Sequence, residues 1–195
     1  MIAIMSNILF TQLLGLAHRE QQLAAGEVLF RAGDPVRSLF LVITGAIQLT
    51  RSLPHGPQLI LQRAGPGTVL AEASLFADHY HCEGEAANAS TVRLVPIRRL
   101  RETLMKEPEL VAAWTRHLAE EVQRARAHAE IISLKTVSAR VDAWMMLNDG
   151  PLPPKGQWRQ VAAEIGVTPE ALYRELARRR QTSGRPRNAV PQSGS

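Results

Sequence analysis

The chain has 195 residues, of which 45% are hydrophobic and 21% charged, with a net charge of +5 and a single cysteine. That composition supports a buried core in one or two domains and excludes intrinsic disorder, an internal disulfide framework and a cysteine-rich zinc or iron–sulfur site. A reduced, cytoplasmic setting fits the one cysteine, and no apolar run is long enough to span a bilayer.

The first sixteen residues, MIAIMSNILFTQLLGL, are apolar but lack the basic start of a secretory signal. They predict an amphipathic helix with Leu9, Leu13 and Leu16 on one face. From Glu27 to Ile97 the pattern is β-like, with short runs EVLFRAG, SLFLVITG, AIQLTRS, QLILQRAG, TVLAEASLF and TVRLVPI. Turn signals at Gly33-Asp34-Pro35, Gly45, Pro54-His55-Gly56-Pro57 and Gly65-Pro66-Gly67 separate them, the spacing of an antiparallel sandwich or barrel.

From Glu109 to Leu134 the period changes. Val111, Leu118, Val122, Ala125, Ala129 and Ile132 follow a heptad, with Trp114 or Thr115 in the missing place. A stripe of that kind on a helix of roughly 25 residues predicts a two-stranded coiled coil, and therefore a dimer; the alternative is that the stripe packs on its own β domain. Thr136 then caps the helix VSARVDAWMML, which Asn148-Asp149-Gly150-Pro151 stops. After Gly184 the segment RPRNAVPQSGS reads as a loop or basic tail.

Charge divides unevenly along this order. Residues 1–134 hold 13 Lys/Arg and 13 Asp/Glu, whereas residues 135–195 hold 10 and 5, so the whole excess lies at the back. A neutral front and a basic back point to a polyanionic partner for the second part.

The stretch WRQVAAEIGVTPEALYREL has the layout of a helix-turn-helix. Val161, Ala162 and Ile165 face inward, Gly166 takes the turn and Val167 plugs the corner. Thr168 is the N-cap, Pro169 stands at the first helical position, and Leu172 and Leu176 anchor the second helix. Glu170, Tyr173, Arg174 and Arg178 are left to face outward. Arg pairs in bidentate fashion with guanine and Glu accepts from cytosine, so Glu170 and Arg174 are the expected base readers. Thr168, Arg159 and Arg178 are the expected phosphate contacts. Glu175 stands out as a carboxylate where this motif usually has an apolar residue.

LAEASLFADHYHCEG, residues 70–84, holds the only cysteine and two histidines. His79, His81 and Cys82 are candidate ligands for haem or another metal, and Cys82 a candidate redox thiol, although Glu83 and Glu85 disfavour its thiolate. A compact closing loop with a packed Tyr80 explains the same residues without a ligand. No hydrolase triad, P-loop or paired carboxylates occur at a usable spacing, so no enzyme is expected.

In this order the segments LAAGEVLFRAGDPVRSLFLVITGAIQLTR, GPGTVLAEASLF, RVDAWMML and the helix-turn-helix resemble the catabolite activator/fumarate–nitrate regulator (CRP/FNR) family of bacterial transcription regulators, over roughly residues 9 to 180. The resemblance implies an α+β chain. A cyclic-nucleotide-binding-like β-roll (a double-stranded jelly roll) would occupy residues 1–106, and a dimerisation helix residues 107–134. A helix-turn-helix domain with a degenerate or missing wing would occupy residues 135–184, and a basic flexible tail residues 185–195. It implies a homodimeric regulator of near-palindromic double-stranded DNA, with RNA polymerase as a further partner of an activator and no membrane association. The alternative is a ligand, haem or thiol sensor with weak DNA binding.

Nucleotide-binding members of the family cradle the phosphate with Gly-Glu followed about ten residues later by Arg-Ser. By that correspondence the Gly is Ala71, the Glu is Glu72, and Arg-Ser falls on Cys82-Glu83; the Thr-Ser pair that meets the purine falls on Ala125-Arg126. The resemblance thus implies a roll that does not bind cAMP in the usual way and has no iron–sulfur cluster. Glu72, Ser74, His81, Cys82 and Arg126 are its effector-pocket candidates.

Overall fold

The computed structural model describes residues 2–52 and 58–183. They form two compact units, Met1–Glu121 and Val122–Ser195, each described by itself below. The first unit contains α1 (Ile2–Leu16), β1 (Arg19–Leu23), β2 (Val28–Phe30), β3 (Ser38–Thr44), β4 (Ile47–Ser52), β5 (Gln58–Ala64), β6 (Val69–Leu70), β7 (Glu83–Ala86), β8 (Ser90–Pro96), α2 (Ile97–Leu104) and the first turns of α3 (Pro108–Ser133). Its strands make two antiparallel four-stranded sheets, ordered β1-β8-β3-β6 and β2-β7-β4-β5.

β3 reads as a continuous apolar run because it is central and covered. Leu39, Phe40, Leu41 and Val42 are all buried, and α1 packs on β3 and β8. Leu9 and Leu13 of α1 are buried in the same core, with Leu16 packed at its margin. Two strands were not expected. β1, REQQL, is an edge strand that buries only Leu23 and takes its register from β8, Arg19 opposite Leu94 through Leu23 opposite Ser90. β7, EGEA, lies between β2 and β4, and its Gly84 leaves room for the Phe30 ring; a Cβ there would stand 2.6 Å from Phe30 Cε1. Conversely, TVLAEASLF contributes only the two-residue β6 before a 3₁₀ turn over Glu72–Ser74.

Helix α3 spans 26 residues without a break. Its first turns bury Leu110 and Trp114 in the core of the roll, with Leu118 packed against them, a face set by spacing of four. The heptad positions Val111 and Val122 are instead 40% and 49% exposed. Sequence periodicity merged two adjacent faces: one packs on the helix's own roll, the other lies open. At the far end Ile131, not Ile132, enters a core.

The second unit contains the rest of α3, α4 (Val137–Leu147), α5 (Trp158–Glu164) and α6 (Pro169–Ser183). Its core joins Ile131, Val141, Trp158, Val161, Ala162, Ile165, Leu172 and Leu176. The Thr136 hydroxyl accepts from the Ala139 amide at 3.1 Å, capping α4. The expected basic tail, the question of a wing and the Pro54–Pro57 turn lie outside the described residues.

Candidate nucleic-acid interface and effector pocket

α5 and α6 are joined by a tight turn. Gly166 has φ +64°, and a Cβ there would come within 3.2 Å of Ile132 Cγ2 and 3.3 Å of Arg140 Nη1. Both the left-handed backbone and the close approach require glycine. The Thr168 hydroxyl accepts from the Ala171 amide at 3.2 Å and starts α6. From that start Glu170 and Arg174 follow one turn apart, both exposed. Neither has an ion-pair partner among the described residues. Arg159 is also exposed, at the second position of α5.

Two residues expected to face outward are engaged elsewhere. Tyr173 is half-buried and packs on the Trp158 ring, 5.7 Å between centroids, because Trp158 anchors the start of α5 in the core. Arg178 is exposed but paired: its Nε and Nη2 donate to the two Glu175 carboxylate oxygens at 2.9 and 2.8 Å. Arg179 Nε donates to the same carboxylate at 2.7 Å. Arg179 also donates to Asp142 at 2.7 Å and to the Ser138 carbonyl at 2.8 Å, tying α6 to α4.

Glu175 is therefore the hub of a charge cluster in a place where the motif usually has an apolar side chain. Its own side chain is only 9% exposed. The Arg178 guanidinium, then Arg179 and Ser138, lower its carboxyl to about 2 against the opposing effect of burial. The irregularity was visible in the sequence, and so were Arg178 and Arg179 three and four residues on; Ser138, which reaches the same carboxylate from another helix, was not. Arg178 is thus ion-paired within the protomer while its side chain stays 61% exposed.

In the first unit the HYHC stretch closes onto the turn between β2 and β3. Gly33 N donates to Tyr80 O at 2.8 Å, and Tyr80 N to Asp34 O at 2.9 Å. The Tyr80 ring stacks on Phe30 at 4.3 Å, and its hydroxyl donates to the Ser38 carbonyl at 2.7 Å. Burial pushes the Tyr80 hydroxyl pKa up. His79 and His81 are exposed while Cys82 is buried. Among the described residues no three His, Cys, Asp or Glu side chains converge on a metal position.

Burial is also the main cause that raises the Cys82 thiol, with Arg51 lowering it and Glu72 raising it. The acidic influence comes from Glu72; Glu83 pairs with Arg31 at 3.2 Å. Arg51, on β4, is a cation near the thiol for which no sequence signal existed. Ser74 is buried, and its amide donates to the Ala71 carbonyl at 2.9 Å. Arg126 is exposed and belongs to the second unit.

Residues 20–107 match the family described as the cyclic nucleotide-binding domain. Two of three curated relatives carry regulator names. The chain is 25% identical over 131 residues to the transcriptional activator protein anr of Pseudomonas aeruginosa, covering 67% of this chain and 54% of that one. It is 22% identical over 163 residues to the cAMP-activated global transcriptional regulator CRP of Haemophilus influenzae, covering 83% and 72%. A third relative, at 26% over 151 residues, is the acetyltransferase Pat of Mycolicibacterium smegmatis, matched over 77% of this chain and 43% of that enzyme. The matched region thus spans about half the length of anr and less than half of Pat. The fold is that of FixK2 from Bradyrhizobium japonicum, with a TM-score of 0.69 at 22% identity over 91% of this chain and 89% of that one.

Within the matched residues, Ala71 adopts φ +66°, ψ +20°, the left-handed conformation natural to glycine. The backbone is left-handed there although the residue is not glycine. At the other end stand the buried Cys82 thiol and the Arg31-paired Glu83, where the family resemblance puts Arg-Ser.

Proposed function

We propose that this chain is a homodimeric, sequence-specific DNA-binding transcription regulator whose roll does not hold cAMP in the usual way. One observation carries the DNA-binding part: Glu170 and Arg174 stand exposed one turn apart on α6, just past the turn and cap that seat it. In that reading Glu170 accepts from cytosine N4 and Arg174 donates to guanine, while Thr168 and Arg159 meet phosphates. Two of the three named relatives are transcription regulators, which supports it.

Dimerisation uses the open face of α3, where Val111, Val122, Ala125 and Ala129 are exposed in the protomer. Paired α3 helices would set two α6 helices about one DNA turn apart, ~34–36 Å. The regulator works in the cytoplasm and is not an enzyme; RNA polymerase is its further partner where it activates. The cassette lacks the cation that a bound phosphate needs at position 82, and the position beside it is an anion, which disfavours a cyclic nucleotide.

The test is selection from random duplex DNA with purified protein and no added effector, at moderate salt. A recovered near-palindrome supports the reading. Recovery of nothing specific, both alone and with a panel of cell-extract small molecules, would overturn it.

A further inference from the structure

α4 starts only a few residues after α3 ends, and Arg140 sits in its first turn, half-buried. Its guanidinium reaches four main-chain carbonyls. Nε donates to Leu134 O at 2.8 Å and Nη2 to Ile132 O at 2.8 Å, both at the end of α3. Nη1 donates to Ile165 O at 3.0 Å and Gly166 O at 2.9 Å, both at the end of α5. Carbonyls at helix C-termini lack helical partners and carry the negative end of the macrodipole, so one cation serves two helix ends together. No carboxylate among the described residues pairs with Arg140.

A second observation locates the same junction. A Cβ on Gly166 would meet Ile132 Cγ2 at 3.2 Å, so the turn before α6 lies directly against the last turn of α3. Apolar packing alone permits small rotations of one element on another. A planar fork with its donors in fixed directions does not, and a lysine, with a single rotatable ammonium, cannot reproduce it.

We propose that Arg140 is a positioning residue that locks the turn before α6, and hence the angle of the recognition helix, to the end of α3. The inference rests on the DNA-reading proposal above and names what would fix the distance between two recognition helices. Arg140 touches no DNA in this scheme. Without it each α6 can still read its own half-site, but the pair no longer holds one spacing.

The test uses the full chain as wild type, Arg140→Met and Arg140→Lys. Binding is measured to the selected operator, to the same half-sites moved apart by one base pair (~3.4 Å of rise), to a single half-site and to random DNA. Arg140→Met is expected to weaken the native-spacing operator about tenfold, the scale of a few charge-assisted bonds. Half-site and random-DNA binding should stay within about twofold, and the preference for native spacing should largely vanish. Arg140→Lys should fall between the two. An unchanged spacing preference in Arg140→Met overturns the proposal, as does an equal loss on every duplex.

Hydrogen exchange in the absence of DNA separates this inference from the reading it rests on. In Arg140→Met, amides in the last turn of α3 and in residues 165–168 should exchange about tenfold faster, with the middle of α4 unchanged. If the wild type binds no DNA but this exchange pattern is found, the lock stands and the DNA reading falls. If neither segment changes, there is no lock.

Discussion

Replacing Glu175 by Gln tests the charge cluster on α6, and the structure sets both the sign and the size of the effect. The carboxyl is lowered from its ordinary 4.5 to about 2, chiefly by the Arg178 guanidinium. A group whose folded pKa is depressed contributes stability that is complete above about pH 4.5 and is lost as pH falls toward 2. At 1.36 kcal/mol per unit, the full shift corresponds to about 3 kcal/mol. Arg178 is open to water, which screens the pair, so the expected contribution is about 1–2 kcal/mol.

The assay is urea unfolding followed by the fluorescence of Trp158, in the core of the second unit, and Trp144, packed against it. Wild type should exceed Glu175→Gln by that amount at pH 7, and the difference should fall to about a quarter of it by pH 2.5. Other carboxylates titrate in both proteins and cancel in the difference. A difference that does not change between pH 7 and pH 3 would refute the account, because it would assign the loss to packing rather than charge. The same substitution releases Arg178, so the salt dependence of binding to random DNA should steepen by about one counterion if α6 faces the duplex.

Arg174→Ala should cost about 1–3 kcal/mol on the selected operator and far less on random DNA, and an equal loss on both would make Arg174 a phosphate contact. Ala71→Gly should stabilise the roll by roughly 0.5–1 kcal/mol, a rise of a few degrees in Tm, because it relieves a left-handed alanine. A fall in Tm would mean that the bend is not strained. Millimolar cAMP should leave the Tm unchanged; a rise of several degrees would show that the cassette holds the nucleotide despite Cys82 and Glu83.

The sequence by itself determined what local chemistry can determine. Thr136 and Thr168 start helices because their hydroxyls cap amides three residues on, and those bonds form. Gly166 marks the turn through a backbone angle that only glycine adopts cheaply. The order of β runs, long helix and helix-turn-helix was legible because hydrophobic period follows from local geometry. β1 and β7 were not legible: one is a polar edge strand and the other is built around a glycine, so each is a strand only because a neighbour pairs with it.

Only the tertiary structure decided which side chains remain available. Tyr173 and Arg178 have the chemistry of outward-facing residues, yet Trp158 claims the ring and Glu175 the guanidinium. The apolar stripe of α3 resolved into a buried face through Leu110 and Trp114 and an open one through Val111 and Val122, which adjacent heptad positions cannot distinguish. The role of Arg140 has no mark in the sequence. Its four acceptors lie on segments up to 26 residues away in the chain, and main-chain carbonyls carry no residue-type signal for a sequence pattern to detect.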